Sequence, residues 1–189
     1  MKDRIGEKPA PARLRVVQGF LNTATSGRED FASPDCLREW LTDHDLLEPD
    51  AAVSADDLRQ AIAVRQALVQ LALARQEDRS DTGAAEVLNR AARSAQMSVS
   101  FGQRGRACIE PLAPAVDGAL GKIIAIVVDA MADGTWERFK ICRDPGCSWA
   151  FYDRSKNHSG TWCDITSCGN IAKARTYRAR HATKATRGL

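Results

Sequence analysis

Cys142-Arg143-Asp144-Pro145-Gly146-Cys147 and Cys163-Asp164-Ile165-Thr166-Ser167-Cys168 are two copies of one spacing, C-x4-C, with fifteen residues between them. They hold four of the six cysteines in the chain. Two such turns can bring four sulfurs to one ion, the number that tetrahedral zinc takes. Pro145 pre-sets one backbone angle, Gly146 can adopt a positive φ, and Thr166-Ser167 with Gly169 supply turn-forming residues to the second copy. Four cysteines leave no open position for water or substrate, so one structural Zn2+ on Cys142, Cys147, Cys163 and Cys168 is expected. The alternatives are two disulfides or four buried thiols. Disulfides need an oxidising compartment. The polar start, Met1 to Ala12, carries Lys2, Arg4 and Lys8 and has no apolar run of export-signal length, which points to the cytoplasm. His158, between the pairs, is an alternative fourth ligand if one turn is looser than its spacing implies; loop histidines are more often solvated. Cys108, between Ala107 and Ile109, reads as a small core residue, and Cys36 lies near a helix start.

Length and charge set the frame. A chain of 189 residues can bury one good core plus a small appendage, and 44% hydrophobic content suits a globular protein. The longest apolar run, Ile123 to Val128, is far short of the roughly twenty residues a spanning helix needs, so no membrane partner is expected. The net charge of +3 is unevenly spread. Trp136 to Leu189 holds eleven Lys/Arg against four Asp/Glu; Met1 to Thr135 holds sixteen against twenty. A basic module joined to a mildly acidic one suggests an anionic partner, or a tail that docks on the acidic part of its own or another copy.

The pattern predicts a mainly α fold with a small β-hairpin. Its parts are a helical N-terminal domain, residues 1–135, and a treble-clef-like zinc finger, residues 136–189, that ends in a basic helix. Leu14 to Thr25 reads as a short buried helix, and Ser33-Pro34 starts another that carries Leu37, Trp40 and Leu41. Ser54 with Asp57 forms a capping-box variant ahead of Leu58, Ile62, Val69 and Leu73. Ala84 to Ala95 reads helical. Alternation from Met97 to Phe101 and again at Ala107 and Ile109 predicts a hairpin across a Gly-rich turn. Val116 to Met131, apolar on most faces, belongs at the centre of the core. Trp136 to Ile141 reads as a short strand. Trp149, Phe151, Tyr152 and Trp162 would form the small core of the finger, with Tyr152 the one expected to face water. His44 and His181 are isolated and no catalytic spacing is present, so no enzyme is expected. Asn22 and Thr23, polar within an apolar helix, fit either a ligand pocket or local hydrogen bonds.

From Cys142 to Arg180 the chain resembles the CGNR-type zinc finger, through its cysteine spacing, both tryptophans and the basic tail. The motif stands here as Cys168-Gly169-Asn170-Ile171, with Ile in place of the motif's Arg. The preceding part is similar to the ABATE domain through Phe20-Leu21-Asn22-Thr23, the Leu37/Trp40/Leu41 helix, and the hairpin with its long apolar helix. The resemblance implies a bacterial, stress-induced transcription regulator that binds DNA through the finger. Its helical domain would be the place for a small-molecule ligand.

Asn170 to about Thr186 is Ala-rich and should be helical. Lys173, Tyr177, Arg180 and Lys184 fall on one stripe that could follow a phosphate backbone. Arg175 and Arg178 point elsewhere, toward a second strand or the acidic domain. Asn170 would read a base edge or, as the favoured reading, cap the helix. The competing reading is a protein-contact or homodimerisation finger, which the missing Arg at Ile171 favours.

Overall fold

The computed structural model describes residues 8–102, 105 and 107–185. Among them are six α-helices and three small antiparallel strand pairs. No described helix is long and apolar enough to cross a membrane.

Helix α1, Leu14–Leu21, buries Leu14, Val17, Phe20 and Leu21. It stops four residues short of the expected end. Thr23 turns its hydroxyl back to the Phe20 carbonyl (2.7 Å), and the chain enters a two-residue ladder, β1 (Ala24–Thr25) with β2 (Arg28–Glu29). Gly27 closes that turn at φ 82°. Helix α2, Pro34–Asp43, starts where Ser33 caps the Cys36 amide. Helix α3, Ala55–Gln76, carries both halves of the capping box: the Ser54 amide donates to Asp57 Oδ2 at 2.8 Å and the Asp57 amide to Ser54 Oγ at 3.2 Å. Helix α4, Thr82–Ser94, is capped by Asp81.

Strands β3 (Met97–Phe101) and β4 (Ala107–Pro111) pair in the register Met97↔Pro111 to Phe101↔Ala107, as the alternation predicts. Cys108 is half-buried on this hairpin rather than packed in the core. The hairpin lies against α5, Ala115–Ala132, which is buried along most of its length from Val116 to Ala130. Gly121 permits the contact, because a Cβ there would stand 2.6 Å from Pro111 Cβ and 2.7 Å from Ala95 Cβ.

Beyond α5, the expected strand over 136–141 is shorter. A 3-10 turn, Thr135–Arg138, precedes β5 (Phe139–Ile141), which pairs with β6 (Ala150–Tyr152). The turn brings Trp136 flat against Phe139, with ring centroids 4.9 Å apart. Both rings join the core of the helical domain, as do Ile141, Ala150 and Tyr152. Tyr152 is therefore buried, not water-facing, at 7% exposure. Its strand packs on α1, in the same core as Phe139 and Ile141. Helix α6, Asn170–Ala185, ends the described chain.

Candidate metal centre

The site is built at the turn end of the β5–β6 hairpin. Cys142 follows β5 directly, and its amide donates to the Trp149 carbonyl at 2.8 Å. Between them the chain turns through Asp144-Pro145-Gly146, closed by the Cys147 amide on the Asp144 carbonyl at 2.9 Å. The left-handed residue of this turn is Ser148, at φ 53°, and not Gly146. In the second turn Asp164 accepts from the Thr166 amide (2.9 Å) and the Ser167 hydroxyl (2.8 Å). This starts a π-helical turn, Ile165–Gly169, that delivers Cys168 and runs straight into α6.

The four sulfurs all lie within 4.8 Å of one another. Cys147 Sγ is 3.6 Å from Cys163 Sγ, which is 3.7 Å from Cys168 Sγ. A tetrahedron with Zn–S bonds of about 2.3 Å has S–S edges of about 3.8 Å, so the donor set fits one structural Zn2+. Cys142, Cys163 and Cys168 are buried and Cys147 is half-buried. Phe151, Trp149 and Trp162 pack around them as a second small core. His158 stays at the surface and is not in the cluster.

Charge explains why a cation belongs here. Hydrogen bonds from Cys147 and Cys163 hold the Cys142 thiol well below its ordinary range. Having given those bonds to Cys142, Cys147 and Cys163 are pushed up. Without a cation, one thiolate excludes its neighbours; a divalent ion, when bound, supplies the charge that lets all four ionise and cross-links the two turns.

The loop between the turns is held by a buried carboxylate. Burial opposes ionisation of Asp153, yet Lys140 Nζ at 2.9 Å and the amides of Ser155 (2.9 Å) and Gly160 (2.7 Å) hold it far below the usual carboxylate range. Lys140 also donates to the carbonyls of His158 and Gly160.

The helical domain completes the site from both sides. Asn22 Nδ2 donates to the Ala150 carbonyl at 3.0 Å and Asn22 Oδ1 accepts the Ala150 amide at 2.7 Å. Gln76 does the same for Ile141, with Nε2 to the carbonyl at 3.1 Å and Oε1 from the amide at 2.6 Å. Gln18 adds a bond to the Ala150 carbonyl (3.1 Å), and Arg75 bonds the carbonyls of Glu137 and Phe139. Asn22 is thus a strand-edge partner and not a pocket residue. Thr23 makes its local bond and accepts from the buried Arg65 at 2.9 Å. Arg65 in turn forks onto Glu29 at 2.8 and 2.5 Å and holds the Glu29 carboxyl below its ordinary range. Sequence reading missed Gln18, Gln76 and Arg75; a buried amide within an apolar helix face was the available sign for Gln18.

On α6, Lys173, Tyr177 and Arg178 are exposed, and Arg178 Nε donates to the Ala174 carbonyl of its own helix (3.3 Å). The side chains of Arg180 and Lys184 lie outside the described residues. Asn170 does not cap the helix. Its backbone is already helical (φ −69°, ψ −38°), and its side-chain Nδ2 donates to the Thr166 carbonyl at 2.9 Å. The capping role has moved back to Asp164, because the π-helical turn extends the helix toward Cys163. Arg175 turns from the stripe to pair with Asp144 of the first turn, within the finger rather than with the acidic domain.

The fold and site together define a helical domain bearing a four-thiolate zinc finger. Residues 138–181 match the CGNR zinc finger family. Residues 14–134, most of the chain, match the ABATE family, described as a "putative stress-induced transcription regulator", and the chain belongs to that family. No curated protein matches it.

Proposed function

We propose that this protein is a non-catalytic, cytoplasmic transcription regulator whose helix α6 lies along duplex DNA. The observation that carries the reading is the exit of α6 directly from ligand Cys168: the metal centre fixes the start of a helix that exposes Lys173, Tyr177 and Arg178. Basic side chains on an anchored helix suit phosphate contacts, and each contact contributes about 0.9 to the slope of log affinity against log salt. The site also supports the reading by what it lacks room for, since four sulfurs leave no coordination position for a substrate. Sensing by the helical domain is best supported at the groove of about 820 Å³ beneath β4, bordered by Arg13, Val16, His44, Lys122 and Asp129. The second reading, a protein-contact or dimerisation finger, is favoured by the exposure of Ile165 and Ile171 beside the start of α6.

Titrating the zinc-loaded protein with random-sequence duplex DNA across a salt series tests the reading. A slope of several units supports it. No binding at low salt rejects it in favour of the protein-contact finger.

A further inference from the structure

Arg175 sits among the cations of α6, yet its Nη1 lies 2.6 Å from Asp144 Oδ1. Asp144 is 5% exposed and belongs to the turn between Cys142 and Cys147. Its carboxylate has one other described donor, the Gly146 amide at 3.3 Å. A buried carboxylate needs a cationic partner, and it lies beside a metal centre whose four thiolates outweigh the charge of one divalent ion. The guanidinium answers both demands.

The pair also closes a mechanical circuit. With zinc bound, Cys168 would tie the start of α6 to the first turn. Arg175 ties the second turn of the same helix to the same loop through Asp144. Two attachments to one loop restrain the helix direction more than one does. We infer that Arg175 is a positioning residue that sets the angle of α6 on the finger, and that it does not contact phosphate. This rests on the reading of α6 as the DNA-contacting helix.

The test compares the zinc-loaded full chain with R175A, D144N and the double variant. Two measurements are made: duplex affinity against salt, and the rate of zinc transfer to a chromogenic chelator. A positioning role lowers duplex affinity about tenfold in R175A with the salt slope unchanged. D144N does the same, and the double variant is no worse than either single one. A fall of about 0.9 in the slope for R175A, with D144N binding as well as or better than the parent, makes Arg175 a phosphate contact and overturns the inference. Zinc transfer decides independently of DNA. The pair bridges the two halves of the ligand set, so both single variants should release zinc several-fold faster, non-additively. Unchanged rates in R175A overturn the inference. If the parent binds no DNA, the proposed function fails, and faster, non-additive zinc release still upholds the positioning role.

Discussion

Asn22 and Gln76 hold opposite edges of one strand pair at the same rung. Asn22 brackets Ala150 and Gln76 brackets Ile141, and these two residues are partners in the β5–β6 register. Each side-chain amide replaces the peptide group of a missing neighbouring strand, so the short sheet has no open edge beside the metal centre.

Removing either amide should destabilise the protein. Asn22→Ala leaves a buried amide and carbonyl with fewer partners, at a cost of about 1–3 kcal/mol. That corresponds to a fall of several degrees in Tm for a chain of this size. Gln76→Ala should cost less, since Gln76 is only half-buried while Asn22 is 4% exposed. Thermal unfolding of the zinc-loaded variants checks the order; equal or zero effects contradict it.

The thiols should divide into two classes. Cys36 and Cys108, both half-buried and outside the cluster, should react with a thiol reagent in the native, zinc-loaded protein. All six should react after chelation and unfolding, with one zinc released per chain. Six reactive thiols before chelation would mean that the cluster holds no metal.

Gly160 and Gly146 should differ sharply on conversion to alanine. A Cβ at Gly160 would lie 2.7 Å from the Asp153 carboxylate, whereas at Gly146 the nearest atom is 3.9 Å away. Gly160→Ala should cost about 1–3 kcal/mol through this overlap. Gly146→Ala should be nearly neutral, and denaturant titrations of both give the comparison.

Asp153 should contribute to the pH dependence of stability. Its carboxyl is depressed in the folded state, so the contribution is fully present above the unfolded value, about 4. It is lost as pH falls below that value toward the folded one. Asp153→Asn should therefore be less stable than the parent at neutral pH. The gap should narrow on acidification below about pH 4, measured as the difference between the two proteins so that effects common to both cancel. A constant gap would place its origin outside the titration.

What sequence made legible was what local chemistry dictates. The ligand cysteines are set by spacing, and the starts of α2 and α3 by the caps at Ser33 and Ser54. The hairpin follows from alternation, and the central placement of α5 from its all-round apolarity. The roles of Gln76 and Asn22 were hidden because their partners are backbone atoms, which carry no sequence identity. Tyr152 was misplaced because two cores compete for the aromatics of the finger, and only tertiary packing decides between them. Asn170 lost the cap because a π-helical turn, which has no strong local pattern, starts the helix earlier. Arg175 reads as one more cation on a basic helix until Asp144 is seen beneath it.

The stack of Trp136 on Phe139 sits at the seam between the two family segments, one ending at 134 and the other beginning at 138. Recombination that cut the gene at that seam would pass on an intact set of zinc ligands. It would also expose two aromatic rings shaped to a core left behind. A finger moved in this way would keep its metal site yet lose its seating unless α1 and α3 travelled with it.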